Sequence, residues 1–251
     1  MASLKSKVAI VTGAGQGVGQ GIAFALADEG AAVVVAGRTL SKCETTVSEI
    51  ESRGGKALAV SCDVNELESL EACVKTTVDA FGGINILVNN AQQVPLGSLL
   101  DVDDDSFNLG WNSGPMATFR LMKLCYPHLK GDGSIINLAS AAGRRWDMAN
   151  YGPYGAVKEA IRVLTRAAAC EWGEDNIRTN VILPHATSPG LKWWIENKPE
   201  EAEEFMSTIP LKRIGDCEDD IGKFVALLCR PESSYVNGQS IALDGGQALI
   251  G

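Results

Sequence analysis

The amino-acid sequence predicts an α/β fold, a single domain in which helices flank a doubly wound parallel sheet. Short apolar runs rich in β-branched residues alternate with longer stretches of helical periodicity. The first run leads directly into a glycine-rich turn, and polar residues follow several of the later runs. Strands and helices in this alternation form parallel sheets, and ligands bind beyond the carboxyl ends of their strands.

Composition supports one folded domain over residues 1–251, because the chain is long enough to bury a substantial core. Hydrophobic residues make up 45% and charged residues 21%, which excludes a disordered chain. The net charge of -9 argues against binding a nucleic-acid backbone by bulk attraction. Since no apolar stretch approaches the ~18–20 residues of a membrane helix, and the polar N-terminus is unlike a signal peptide, we expect no membrane partner.

Cysteine and histidine usage indicates a protein without disulfides or metal. The seven cysteines are scattered, odd in number and without a C-x-x-C pair, which favours reduced thiols and a cytoplasmic location. The two histidines, His128 and His185, are far apart and have no cysteine at zinc-ligand spacing. We therefore expect no metal site.

The first half of the chain contains four expected strands, at residues 8–11, 32–36, 57–62 and 84–88. The glycine-rich turn 12–19 follows the first strand and precedes a helical pattern. Capping boxes at 41–44 and 65–68 predict the starts of the next two helices. Glycine pairs at 54–55 and 82–83 predict their ends.

The second half continues the alternation, with strands at 133–138, at 179–183 and within 238–246. The acidic patch 101–105 indicates a helix start, a further helix runs from 154 to about 172 with Pro153 at its first position, and a last one spans 218–228. The sheet is thus of the Rossmann type. Residues 185–213 have an irregular, aromatic-rich pattern, which indicates a lid over an apolar substrate, a small packed subdomain or an oligomer contact.

The helix from 154 to about 172 also suggests self-association. Ala160, Ala167 and Ala169 leave a smooth surface that another helix can approach closely. We therefore expect a homo-oligomer, a dimer or a tetramer.

The turn after the first strand has the features of a diphosphate site, since glycines let the backbone approach the ligand and the following helix presents free N–H groups. The candidate residues in it are Gly13, Gln16, Gly17, Val18 and Gly19. Where the second strand ends, an acidic residue would accept the ribose 2′-hydroxyl of NAD, but this chain has Arg38. A guanidinium suits a 2′-phosphate, which favours NADP over NAD, although Arg38 as a solvated loop charge is the alternative.

Tyr154 and Lys158 are four residues apart and share one face of the predicted helix. A cation beside a phenol stabilises the phenolate and lowers the pKa of the tyrosine. A tyrosine tuned in this way can exchange a proton with a substrate oxygen near neutral pH. Taken alone, however, two such residues are more often an ordinary surface pair.

Seven motifs in order resemble the short-chain dehydrogenase/reductase family over nearly the whole chain. They are T-G-x-x-x-G-x-G at 12–19, D-V at Asp63 and Val64, N-N-A at 89–91, Asn112, Ser140, Y-x-x-x-K at Tyr154 and Lys158, and G-x-x-x-x-x-D-G-G at 238–246. Each motif alone is weak evidence, but seven in the family's order are specific.

The resemblance implies reversible hydride transfer between a nicotinamide and an alcohol or ketone carbon. Tyr154 would be the acid/base, and Ser140 would hydrogen-bond the same substrate oxygen. Lys158 would lower the pKa of Tyr154 and hold the nicotinamide ribose, and Asn112 would keep a water in a proton relay to Lys158. Tyr151 is a rival phenol, but it lies seven residues before Lys158. The cofactor residues implied by the resemblance are Asp63, Val64, Asn90, Ala91, Tyr154 and Lys158.

Several positions depart from the family pattern. Gln92 replaces a glycine after N-N-A, and Pro184-His185 replaces P-G. Gln92 thus puts a side chain near the nicotinamide or substrate, whereas His185 contacts substrate or merely occupies a loop. Thr187 or Ser188 is a candidate to bind the nicotinamide carboxamide. Arg144 and Arg145 either receive an anionic substrate group or face solvent or another subunit.

The sequence thus favours an NADP-dependent oxidoreductase of carbonyl or secondary alcohol substrates, a small-molecule enzyme. Trp146, Trp193 and Trp194 are candidate walls for a medium or bulky, partly apolar substrate. The alternatives are a 3-oxoacyl-thioester reductase, an NAD-dependent alcohol dehydrogenase and, from another class, a non-catalytic dinucleotide-binding regulator.

Overall fold

A seven-stranded parallel sheet is the centre of the computed structural model, which describes residues 3–144 and 150–248. Its strands are β1 (Val8–Thr12), β2 (Ala32–Gly37), β3 (Lys56–Ser61), β4 (Ile86–Asn89), β5 (Gly133–Leu138), β6 (Ile177–Pro184) and β7 (Ser240–Leu243). They lie in the order β3-β2-β1-β4-β5-β6-β7, so the winding direction reverses between β1 and β4. Ligands of such sheets bind where the order reverses. The predicted fold class is confirmed.

Helices cover both faces of the sheet. They are α1 (Gly17–Asp28), α2 (Leu40–Ser52), α3 (Leu67–Phe81), α4 (Asp104–Trp111), α5 (Ala117–Leu129), α6 (Gly152–Glu171), α7 (Pro189–Asn197), α8 (Pro199–Ser207) and α9 (Lys223–Cys229). Side chains of β1 alternate, because Ala9 and Val11 pack with α1 and α9 whereas Ile10 packs with α3 and α5. Among the described residues, no helix is both long and apolar enough to cross a membrane.

Two short π-helical segments interrupt the expected helices. Residues Asn112–Met116 join α4 to α5, and Cys217–Gly222 precede α9, where a single helix over 218–228 was expected. The first segment contains Pro115, whose missing N–H a regular helix would need. A π-helical turn at this point lets α4 and α5 continue with a changed phase.

Both predicted capping boxes are wrong, although the helices exist. Helix α2 begins at Leu40 after an extended Thr39, because the chain turns directly after β2. Helix α3 begins at Leu67, since Asn65 is held in a turn in which its backbone N and its Nδ2 donate to Asp63 Oδ1 at 3.0 and 2.9 Å. Asparagine side chains commonly make such turns in competition with helix capping.

The segment 185–213 is more regular than expected, because it contains α7 and α8. Each helix has a proline in its first turn, at Pro189 and Pro199, where the missing N–H costs nothing. The ring of Phe205 contacts His185 and Trp194 edge-on, with centroids 5.4 and 5.7 Å apart. These contacts pack the segment against itself.

Helix α6 also differs in detail from its prediction. It begins at Gly152, so Pro153 occupies its second position and not its first. Ala169 is buried within the protomer and cannot belong to an exposed surface. The accessible stripe instead consists of small side chains at helical spacing, namely Ala156, Ala160, Val163 and Ala167.

Candidate active site

The glycine-rich turn between β1 and α1 has a backbone that only glycine tolerates at several positions. Gly13 and Gly17 have φ angles of +65° and +60°, in the left-handed region. A Cβ on Gly19 would lie 2.4 Å from Asn90 Nδ2 and 2.6 Å from the Gly13 carbonyl oxygen. No described side chain caps α1 at Gln16, so its first-turn N–H groups stay available to an anion. The turn therefore fits a diphosphate.

The end of β4 is hydrogen-bonded to this turn. Asn90 Nδ2 donates to the carbonyl oxygens of Thr12 at 2.8 Å and Gly13 at 3.2 Å. The backbone N–H groups of Asn90 and Ala91 both donate to Thr12 Oγ1 at 3.0 Å. The Asn90 side-chain amide is thus bonded to the backbone of the glycine-rich turn, and it holds that turn in place.

Two cations lie near the tip of β2. Arg38 is exposed in the loop after the strand, as expected for a group that meets a ligand or solvent. Lys42 was missed by the sequence analysis, although its position four residues after Arg38 was a possible signal. Its Nζ donates to Gln16 Oε1 at 2.7 Å, and a Cβ on Gly15 would lie 2.9 Å from Lys42 Cβ. Lys42 therefore lies against the glycine-rich turn.

Asp63 and Val64 follow β3 at the same edge of the sheet. The Asp63 carboxylate accepts from Asn65, and the Asp63 N–H donates to Ser69 Oγ at 3.0 Å. Val64 is buried. These contacts fix the loop beside β2, where the predicted adenine site would be.

The Ser140 hydroxyl lies across the gap between β5 and α6, close enough to Tyr154 to favour its phenolate. Ser140 also accepts from the Ala142 N–H at 3.1 Å, which fixes its side chain at the start of a short 3₁₀ turn. Burial raises the pKa of Tyr154 to about 12, against a smaller lowering by the nearby Ser140 hydroxyl. The Tyr151 ring lies edge-on to Tyr154, with centroids 6.2 Å apart.

Lys158 is buried one turn further along α6. Its Nζ donates to the Leu138 carbonyl oxygen at 2.7 Å and lies 5.6 Å from the centroid of the Tyr154 ring. Burial lowers the pKa of Lys158 to about 7. The pKa of Tyr154 is therefore raised and not lowered as expected from Lys158, because desolvation outweighs any attraction between the two groups.

Asn112, unlike Ser140, has no polar interaction with Tyr154 or Lys158 among those that the structure describes. Its side chain is exposed, and its carbonyl oxygen accepts the N–H of Ala117 inside the π-helical segment. Gly114, two residues on, is buried and faces both Gln92 and Val157 of α6. The relay role of Asn112 stays a prediction.

The loop after β6 passes over the glycine-rich turn. A Cβ on Gly17 would lie 3.1 Å from Pro189 Cδ and 3.8 Å from Ser188 Cβ. Thr187 donates its N–H to the Gly215 carbonyl oxygen at 2.9 Å and its hydroxyl to the same oxygen at 3.3 Å. Thr187 is thus held near the cofactor end of the sheet.

Three other predicted residues are less informative. Arg144 is exposed at the end of the 3₁₀ turn. Arg145 and Trp146 lie outside the described residues. Within the described ranges, no group of three or more His, Cys, Asp or Glu side chains could hold a metal ion.

Comparison with known proteins agrees with this geometry. A family model described as enoyl-(acyl carrier protein) reductase matches residues 13–248. A 12α-hydroxysteroid dehydrogenase from Clostridium sp. is 41% identical, and the alignment covers 98% of both chains. The chain belongs to the short-chain dehydrogenase/reductase family.

Solved structures of short-chain dehydrogenases/reductases superpose closely on the chain. A 7α-hydroxysteroid dehydrogenase complexed with NADH and 7-oxo glycochenodeoxycholic acid is 33% identical, with a TM-score of 0.92 and coverage of 98% of this chain and 96% of that one. A dehydrogenase/reductase from Sinorhizobium meliloti is 31% identical, with a TM-score of 0.93 and coverage of 99% and 97%.

Membership of the short-chain dehydrogenase/reductase family confirms the enzyme class. The protein is an NAD(P)-dependent oxidoreductase that acts on CH–OH and C=O groups. The alternative of a non-catalytic regulator is therefore set aside.

Proposed function

We propose that the protein transfers a hydride between NADP(H) and a carbonyl or secondary alcohol, with Tyr154 as the general acid/base. The observation that carries this proposal is the closeness of Ser140 to Tyr154, with Lys158 one helical turn away. The glycine-rich turn lies at the same edge of the sheet. The nicotinamide, when bound, supplies or accepts the hydride.

In the reductive direction the Tyr154 hydroxyl donates its proton to the substrate oxygen as negative charge develops there. The Ser140 hydroxyl donates a hydrogen bond to the same oxygen and stabilises that charge. Because the pKa of Tyr154 is about 12, the phenol is protonated at neutral pH and ready to act as the acid. Lys158 would hold the ribose hydroxyls and, when charged, favour loss of the Tyr154 proton.

The preference for NADP rests on Arg38 and Lys42. Two cations near the tip of β2 favour an added 2′-phosphate and offer no carboxylate that would repel it. The relative solved with NADH is a reason to test both cofactors. An NAD-dependent alcohol dehydrogenase is the corresponding alternative.

The candidate substrate is a bulky, partly apolar ketone or alcohol such as a hydroxysteroid. Two relatives are named as hydroxysteroid dehydrogenases. The segment 185–213, as a lid, would offer apolar rings, since Trp194 and Phe205 pack edge-on and Trp193 is exposed. A 3-oxoacyl thioester is the second candidate, because the description of the matching family model, enoyl-(acyl carrier protein) reductase, names a related acyl thioester.

The role of Tyr154 is tested by steady-state oxidation of NADPH with a panel of 7-oxo and 12-oxo steroids and a 3-oxoacyl thioester. Tyr154→Phe should lower kcat by about a hundredfold to ten-thousandfold, because proton transfer by a positioned group is lost. The matched control is Tyr151→Phe, which removes the neighbouring phenol and should leave kcat within a few fold. Undiminished turnover in Tyr154→Phe would overturn the assignment.

The cofactor preference is tested by fluorescence titration with NADPH and NADH. Arg38→Asp should raise the dissociation constant for NADPH by about tenfold to a hundredfold and tighten NADH binding, since a charge-assisted hydrogen bond is lost and a carboxylate gained. Lys42→Met should weaken NADPH binding less and leave NADH binding unchanged. Tighter binding of NADH than of NADPH by the unmutated protein would rule out the preference.

A further inference from the structure

The side chain of Gln92 combines burial with unmet hydrogen-bonding groups. Neither its Oε1 nor its Nε2 is accessible, and neither has a hydrogen-bond partner among the described residues. The adjacent Gln93 differs, because its Oε1 accepts from Asn65 Nδ2 at 3.2 Å. Buried polar atoms in native proteins are nearly always partnered, so an orphaned carboxamide beside an active site calls for a functional explanation.

The backbone around Gln92 is fixed from both sides. The N–H of the preceding Ala91 donates to Thr12 Oγ1 at 3.0 Å, which joins it to the end of β1. The N–H of the following Gln93 donates to Ser113 Oγ at 2.9 Å, which joins it to the π-helical segment. Gln92 therefore occupies a set position between the glycine-rich turn and the segment Asn112–Met116.

The carboxamide occupies space that Gly114 provides. A Cβ on Gly114 would lie 2.8 Å from Gln92 Nε2, 3.1 Å from Gln92 Cδ and 2.9 Å from Val157 Cγ1. Val157 lies on α6 three residues after Tyr154, and residues at this spacing are neighbours on a helix surface. The carboxamide is thus packed about one helical turn from the candidate acid/base.

We propose that Gln92 is a substrate-specificity residue whose carboxamide turns away from Gly114 to hydrogen-bond a hydroxyl group next to the reacting carbonyl of the substrate. The proposal rests on the proposed function. A carboxamide offers a donor and an acceptor, and a hydroxyl can meet both, whereas a second ketone or a carboxylate can only accept. The residue as a whole is half-buried, so part of it reaches the surface although its two polar atoms do not.

The proposal predicts a preference for α-hydroxy ketones over the matching ketones without the hydroxyl. The probes are benzoin and deoxybenzoin, two bulky apolar ketones that differ in one hydroxyl group. With saturating NADPH, kcat/KM for benzoin should exceed that for deoxybenzoin by about tenfold, the value of one net hydrogen bond. Gln92→Leu should abolish this ratio, mostly through KM, and Gln92→Met is a second variant of similar shape.

Gln93→Leu is the matched control, since it removes the neighbouring glutamine whose carboxamide has a partner. It should keep the preference for benzoin and lower the thermal midpoint, because Asn65 loses a hydrogen bond. Gln92→Leu should keep or raise the thermal midpoint, because it removes two unmet polar atoms from a buried position.

Binding of both ketones to the NADP-loaded protein is also measured by calorimetry in the Tyr154→Phe background, where no turnover is needed. This binding measurement separates the two proposals, because it still compares the two ketones if Tyr154 turns out not to be the acid/base. Equal affinities for the two ketones, or an unchanged ratio in both Gln92 variants, would overturn the role of Gln92. An equal loss of affinity for both ketones would do the same, because it would indicate a structural role or a bound water only.

Discussion

Tyr154 and Lys158 are neighbours on α6, and burial moves their pKa values in opposite directions. Burial disfavours the charged form of each group, so the phenol keeps its proton while the amine tends to lose its own. With a pKa of about 7, Lys158 changes charge in the range in which enzymes work. A compensating hydroxyl or anion near Nζ would favour the cation, and the cation would in turn favour the phenolate.

This burial predicts a pH dependence of stability. The pKa of Lys158 is 10.5 in its ordinary state and about 7 in the folded protein, so the unfolded chain binds the extra proton between these values. The free energy of unfolding should therefore rise from pH 7 to pH 10, by at most about 1.4 kcal/mol per pH unit from this group. The raised pKa of Tyr154 acts oppositely, but only above about pH 10.

Urea denaturation at pH 7, 8, 9 and 10 measures this effect in the unmutated protein and in Lys158→Met. The difference between their free energies of unfolding should change with pH, because the variant has no amine to titrate. Lys75→Met is the control, since that lysine is an exposed residue paired with Asp79 on the surface of α3. Parallel curves for the unmutated protein and Lys158→Met would contradict the buried-amine interpretation.

Residue types at the candidate site could be predicted, but their environments could not. Tyr154, Lys158 and Ser140 are recognisable from spacing along the chain, and the structure brings them together. The pKa values depend on burial, which arises from distant segments. Lys42 and Gly114 were missed for the same reason, because their contacts with the glycine-rich turn and with Gln92 join residues far apart in sequence.

Among the secondary-structure elements, strands were easier to predict than helix ends. A strand such as β5 is an unbroken apolar run buried on both faces, so its pattern is local. A helix start depends on which turn the chain adopts just before it. Asn65 donates to Asp63 in such a turn and therefore does not cap α3 as expected. The π-helical segment Asn112–Met116 was not predicted, because a single π-helical turn has little effect on the spacing of hydrophobic residues in the sequence.

Close helix packing explains two glycines within helical segments, Gly21 of α1 and Gly222 of the segment Cys217–Gly222. A Cβ on Gly21 would lie 2.2 Å from the Cys217 carbonyl oxygen, and one on Gly222 would lie 2.4 Å from the Gly21 carbonyl oxygen. The backbones of α1 and the segment Cys217–Gly222 are therefore in direct contact. This close approach holds the first helix, and with it the diphosphate turn, against the far end of the chain.

In the whole molecule, the candidate site is assembled from the carboxyl ends of several strands and the loop after β6. The fold leaves another surface unexplained, the accessible stripe on α6 made of Ala156, Ala160, Val163 and Ala167. Val163 is 55% exposed, although it is apolar and lies mid-helix. Small residues at this spacing allow a second helix to approach closely, so we expect two copies of α6 to pack together in a dimer or tetramer.

Size-exclusion chromatography with light scattering tests this assembly across a range of protein concentrations. The unmutated protein should have the mass of two or four chains, and Val163→Glu should raise the dissociation constant by about a hundredfold, because a charge would be buried without a partner. Tyr235→Glu is the control, since Tyr235 is fully exposed before β7 and outside the stripe, and its change should leave the mass unaltered. A monomeric unmutated protein would rule out the assembly. A Val163→Glu variant that assembles normally would show that the contact between copies lies on another surface. Because Val163 lies on the opposite side of α6 from the buried Ile161 and Lys158, loss of assembly with retained NADPH binding would show that the stripe serves association and not the fold of the site.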